Sequence, residues 1–326
     1  MKNKPFEAAH PIEIDSEIQQ FAAAIQRDYE RWSGSGEGSL ERRREVAEKV
    51  RERWVRGGPE MESVSDHVVP FGENGVTVRI FDPGSGERSP ALVYLHGGGW
   101  TIFSLNTHSR LMRELAARTG YKVVGVDYSL APEARFPVQL DEIAQVIVWL
   151  CDEGHQLGID PHQLSIGGDS VGANMALASC LKLRDQGSVG VIKAMALFYG
   201  AFEPGAAYAT RAPETDVRFL LTHEEMGSFW RNYLNGPEDL PNPLACPMRA
   251  DVHDLPPAFM AIADCDILLE ENIVLASRLE HAGVPVKAVV YPGTTHSFLE
   301  AVSIAAVADR ALAESSTWLT ETVSGN

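Results

Sequence analysis

The 326-residue chain has a formal net charge of −17, with 44% hydrophobic and 22% charged residues. Those proportions are those of a globular protein, and the length suits one large α/β domain with a cap. The charge argues against nucleic acid or an anionic membrane as partner, because both would repel it.

No run approaches the length of a membrane span. The first residues, Met1-Lys2-Asn3-Lys4-Pro5, lead into Glu7, His10 and Glu13 rather than an apolar stretch. Cys151, Cys180, Cys246 and Cys265 are scattered, without a C-x-x-C pair or zinc spacing. We therefore expect a reduced, cytoplasmic protein that holds no metal.

Residues 1–60 are charge-rich, and helical periodicity runs over 12–27 and 40–55. The flexible Ser33-Gly34-Ser35-Gly36-Glu37-Gly38-Ser39 separates the two. From Asp66 the period becomes extended. Strands are predicted over 66–69 and 77–81, joined by the turn Gly72-Glu73-Asn74-Gly75. Apolar runs at 91–95, 122–127, 164–167 and 194–199 then alternate with helical stretches at 107–118, 139–151 and 174–184.

Between residues 200 and 256 the alternation stops, apart from a helix opened by the capping box Thr222-His223-Glu224-Glu225 and running to about Leu234. It resumes with strands at 258–263 and 287–291 and helices at 270–281 and 300–320. Eight strands of this kind predict an α/β fold with a mostly parallel sheet covered by helices on both faces. We expect a catalytic domain over 61–326, capped by the N-terminal helical segment 1–60 and an insertion at about 200–256.

Functional groups of such a sheet gather after the carboxyl ends of its strands. Four strands end in chemically suggestive residues. The run at 164–167 leads into Gly168-Asp169-Ser170-Val171-Gly172, a G-x-S-x-G at a strand-to-helix junction. The others lead into His96-Gly97-Gly98-Gly99-Trp100, Asp264-Cys265-Asp266 and Gly293-Thr294-Thr295-His296.

A serine hydroxyl needs a base, and His296 suits that task; an acid must then orient the imidazole. Asp266 is the candidate acid, with Asp264 its competitor. Three consecutive glycines are costly to order and make sense where backbone N–H groups approach a reacting atom. Gly98, Gly99 and Val171 are the candidate oxyanion donors. A phosphate loop is the rival reading, but G-x-G-x-x-G and G-K-[ST] are missing. His96 is read as bracing the loop, and His108, His155, His162, His223, His253 and His281 read as ordinary surface residues.

The two glycine motifs, with Asn106-Thr107-His108 and the stretch Asp127-Tyr128-Ser129-Leu130-Ala131-Pro132-Glu133-Ala134-Arg135-Phe136-Pro137, resemble the hormone-sensitive-lipase-like α/β-hydrolase esterases. Within them they are most similar to the bacterial acetyl esterases, from about residue 60 onward. The resemblance implies the α/β-hydrolase fold and a serine esterase for short acyl chains, without metal or cofactor. It places nucleophile, acid and base at Ser170, Asp266 and His296. Asp266-Ile267-Leu268 stands where D-P-L is usual, and Val171 where alanine is usual, which would narrow the acyl pocket.

The bonds Ala131-Pro132 and Phe136-Pro137 are expected to be cis, as in the family. Trp100, Phe103, Phe229 and Trp230 are candidates for lining the substrate pocket. Tyr233 shares the helix of the last two, and plain core is the competing role for all three. The partner expected is a small-molecule ester. Amide or lactone hydrolysis on the same triad, and a hydrolase-fold binding or regulatory protein, are the alternatives. A homodimer paired through the strand at 287–291 is a further expectation.

Overall fold

The computed structural model describes residues 13–33, 38–86, 88–205 and 220–324. Part of the expected Ser-Gly linker (34–37) and part of the insertion (206–219) lie outside the described residues. Eight strands form one sheet: β1 (Ser63–Val69), β2 (Val76–Asp82), β3 (Ser89–Leu95), β4 (Lys122–Asp127), β5 (Ile159–Asp169), β6 (Ile192–Phe198), β7 (Ala258–Cys265) and β8 (Val286–Thr295). Their spatial order is β1-β2-β4-β3-β5-β6-β7-β8. β2 pairs antiparallel with both neighbours, and every other pairing is parallel.

Both faces of the sheet are buried, which is why its central strands read as unbroken apolar runs. In β3, Ala91, Val93 and Leu95 belong to one core while Leu92 and Tyr94 belong to the other. The first core is covered by α4 (Val138–Glu153), α5 (Val171–Asp185) and α7 (Leu269–His281). The second is covered by α3 (Ser109–Thr119) and α8 (Ala306–Ser324), with α1 (Ser16–Ser33) and α2 (Leu40–Arg51) beside them. The capping box at Thr222 opens α6 (His223–Tyr233) as expected.

Two expectations need correction. The first helix spans Ser16–Ser33 rather than 12–27, because Asp15 accepts from the amides of Glu17 and Ile18 and starts it there. The stretch 300–320 is not one helix: a 3₁₀ segment, Phe298–Ser303, precedes α8. Ile304 leaves helical geometry at φ −136°, and the Ala306 amide is taken by Glu17 of α1. That contact, with Asp15 N–H donating to the Gly293 carbonyl at 2.9 Å, ties α1 to the carboxyl end of β8. β1 and β8 are the edge strands, and among the described residues the segment 287–291 pairs with a strand on one side alone. Among the described residues, no helix is long and apolar enough to cross a membrane.

Candidate active site

β5 runs straight into Ser170, whose φ of 55° and ψ of −120° are strained for a residue with a side chain. The turn is held by Ser170 N–H donating to Phe198 O at 2.9 Å, and by the Ala173 and Ala201 amides donating to Ser170 O. Its glycines are demanded by packing. A Cβ on Gly168 would lie 2.3 Å from Leu95 O, and one on Gly172 2.0 Å from the same oxygen.

Two further strand ends converge on this turn. His296, just beyond β8, has Nε2 3.0 Å from Ser170 Oγ and Nδ1 2.7 Å from Asp266 Oδ2. A carboxylate can only accept, so Nδ1 donates and Nε2 is left to receive the serine proton. Burial pushes the His296 pKa down, but the charge and hydrogen bond of Asp266 outweigh it, and the net shift is upward. Asp264, the competing acid, instead meets the Gly293 amide at 3.4 Å.

The loop after β3 closes the other side. Gly98 O accepts from the Thr101 and Ile102 amides, folding the backbone into a tight turn with φ of 108° at Gly98 and 60° at Gly99. A Cβ on Gly98 would sit 2.2 Å from Ile102 O, and one on Gly99 2.1 Å from the Phe229 ring. Val171 is the first residue of α5, where helix geometry leaves the amide without an intrahelical acceptor. Its side chain is buried in the first core and does not reach the cavity.

Ser170, His296, Gly98 and Gly99 all line a cavity of about 770 Å³. Its walls come from α1 through Ile25 and Tyr29, from α2 through Arg42, Arg43, Val46 and Arg51, and from α6 through Met226 and Phe229. Phe103 also lines it, with the Arg51 guanidinium 4.4 Å from the ring centroid.

Residues 92–300 match the model of a family described as having the alpha/beta hydrolase fold. The chain belongs to the alpha/beta hydrolase fold family. Among solved structures, a hyperthermophilic esterase from the archaeon Pyrobaculum calidifontis is 30% identical, with a TM-score of 0.86 over 95% of this chain and 99% of that one. A thermostable carboxylesterase cloned from a metagenomic library is 28% identical, with a TM-score of 0.80 over 88% and 98%. A thermostable esterase from Pseudomonas putida is 25% identical, with a TM-score of 0.86 over 97% and 99%.

In this alpha/beta hydrolase, several side chains differ from their expected places. Trp100 and Trp230 do not line the cavity. Trp100 is fully buried, stacked on Tyr233 at 4.0 Å and packed on Trp230 at 4.6 Å, because its φ of 56° turns it down behind the glycine loop. Of the three aromatics on α6, Phe229 lines the cavity as expected, while Trp230 and Tyr233 do not.

His108 is not at the surface either. It is buried with Nε2 3.3 Å from Asp169 Oδ2, while Asp169 Oδ1 accepts from Tyr94 Oη at 2.7 Å and the Gly97 amide at 3.1 Å. Asp169 thereby bolts the serine turn to the glycine loop. Its role was invisible as the variable residue of G-x-S-x-G, although an acid beside a buried serine was itself a signal.

Three more supports hold the site: His96 reads from the sequence as a brace for the loop, whereas the roles of Glu142 and Arg44 were missed. His96 stacks on Tyr128 at 4.4 Å, and burial with the His108 charge pushes its pKa down to about 3, so it braces the loop as a neutral ring. Glu142 accepts from Ser129 N–H and Oγ–H and fixes the segment that holds the cis bonds Ala131-Pro132 and Phe136-Pro137. Arg44 of α2 donates to Thr101 O, Ala131 O and Glu133, tying the N-terminal helices to the glycine loop.

Proposed function

We propose that this chain is a serine carboxylesterase for short-acyl esters, working through an acyl-enzyme. The observation that carries the reading is His296, bridging Ser170 Oγ at 3.0 Å and Asp266 at 2.7 Å on the rim of the cavity. His296 Nε2 takes the Ser170 proton as Oγ attacks the ester carbonyl. The carbonyl oxygen gathers negative charge against the N–H groups of Gly98, Gly99 and Val171. His296 then gives its proton to the departing alcohol. Water, deprotonated by the same nitrogen, releases the acid and restores Ser170.

Asp266 holds the imidazole in the tautomer that leaves Nε2 free and stabilises the imidazolium as it forms. In this reading α1, α2 and α6 act as a cap, with 1–60 as the N-terminal cap segment and 200–256 as its insertion into a catalytic domain over 61–326. Phe103 and Phe229 bound the substrate. The preference for acetyl- to butyryl-sized groups follows from the resemblance to the bacterial acetyl esterases.

Initial rates on p-nitrophenyl acetate, butyrate, octanoate and dodecanoate test the reading. Rates should be highest on the two short esters, fall on octanoate and dodecanoate, and vanish in Ser170→Ala. Equal or higher rates on the long esters would overturn the short-acyl assignment, and activity surviving in Ser170→Ala would overturn the nucleophile.

A further inference from the structure

Arg42, Arg43 and Arg51 all belong to α2 and all line the cavity onto which Ser170 and His296 open. Arg42, Arg43 and Val46 share one face of the helix, whereas Arg44 stands outside the lining and holds Glu133. The acids that pair with two of them stand outside the lining. Glu45 meets Arg42 at 2.9 Å, and Glu300 meets Arg51 at 2.9 Å in a buried pair. The Arg43 guanidinium makes no ion pair or hydrogen bond among the described residues, although its backbone N–H donates to Ser39 O.

Among the described residues two acids share the lining, and both are engaged. Asp169 faces the His108 ring, and Glu225 closes the capping box with Thr222. A chain with a net charge of −17 repels anions over most of its surface, so an Arg43 guanidinium without an acidic partner makes this cavity wall a local exception. An acetyl group fills a small part of about 770 Å³, which leaves the walls formed by α2 to the alcohol part of the ester.

We infer that the alcohol part of the substrate carries a carboxylate, received by Arg43 with Arg42 beside it. The inference rests on the esterase reading above and adds the class of ester. A guanidinium presents a planar fork that matches a carboxylate in bidentate fashion, and it draws the anion toward the cavity before contact.

The test compares 3-acetoxybenzoate with its neutral counterpart 3-acetoxybenzamide, each kcat/KM divided by that ester's own alkaline hydrolysis rate. Wild type should favour the anion by about three- to fivefold at low salt, the worth of one exposed ion pair. The preference should shrink toward unity in about 0.5 M salt, where such pairs are screened. Arg43→Gln should abolish it and Arg43→Glu should reverse it, each read as the ratio between the two esters measured on the same protein. Benzamide ester hydrolysed with no preference for the anion, or a preference that survives Arg43→Glu, would overturn this inference and leave the esterase standing. Hydrolysis of neither ester would overturn the esterase reading and this inference together.

Discussion

His108 Nε2 lies 3.3 Å from Asp169 Oδ2, with both side chains shut off from solvent directly beneath the serine turn. Burial drives the Asp169 carboxyl pKa up, yet the charge of His108 and the hydrogen bonds from His108 and Tyr94 overcome it, and the net shift is downward. Burial likewise drives His108 down, and Asp169 overcomes that, leaving the imidazole pKa raised. Two charged groups are thus held where neither would be stable alone.

Removing one partner strands the other, so His108→Gln should cost roughly 3–5 kcal/mol, the usual penalty for breaking a buried pair. The pH dependence has a definite sign. The contribution of Asp169 is present above the ordinary carboxylate range and lost as pH falls through its lowered pKa. That of His108 is present below about pH 6.5 and lost as pH rises through its raised pKa. Urea unfolding across pH should therefore show a stability maximum between those limits, flattened in the double variant Asp169→Asn/His108→Gln. A His108→Gln chain as stable as wild type at neutral pH would contradict the pairing.

The His296 pKa is raised, and the proposed base must be neutral to act. Activity should rise with pH along a limb that lies above the ordinary imidazole range. In Asp266→Asn the two largest influences that oppose burial are gone, so that limb should move to lower pH while kcat falls roughly 10⁴-fold through the wrong tautomer. A kcat/KM profile of both proteins checks the two effects at once; a limb that stays in place would remove Asp266 from its role.

At the glycine loop the two clashes differ in kind. A Cβ on Gly98 meets the fixed carbonyl of Ile102, whereas a Cβ on Gly99 meets the side chain of Phe229. Each alanine variant should lose about 10²–10³ in kcat, as for loss of one oxyanion donor. Adding Phe229→Ala should recover much of the loss in Gly99→Ala and none of it in Gly98→Ala. Steady-state rates of the four variants decide the matter.

Arg51 and Glu300 form a second buried pair, between α2 and the 3₁₀ segment after β8, with Tyr29 Oη accepting from Arg51 at 3.0 Å. Arg51→Met should destabilise the protein by roughly 3–5 kcal/mol because Glu300 is left uncompensated. Arg51→Met combined with Glu300→Leu should regain most of that. Thermal or urea unfolding of the single and double variants gives the comparison.

The sequence announced all eight strands, and the central ones most plainly, because each of those is buried on two faces and reads as a continuous apolar run, as in β7 at Ala258–Cys265. Ser170 and His296 were legible for a related reason: they follow such runs directly. What stayed hidden was contact between distant segments. Asp169 meets His108 across 61 residues and Arg51 meets Glu300 across 249, and no local pattern encodes either. Trp100 looked like a pocket residue from its place after the glycines, and only the positive φ of its backbone sends it inward.

The central claim is that Ser170 is the nucleophile, and covalent trapping tests it most directly. Diethyl p-nitrophenyl phosphate should transfer its diethylphosphoryl group to Ser170 Oγ, releasing p-nitrophenol and abolishing esterase activity in step with labelling. Mass spectrometry of the digested protein should find the adduct on the peptide that contains Ser170, and none in Ser170→Ala. An adduct on another residue that tracks the loss of activity, or full labelling of Ser170→Ala, would contradict the account.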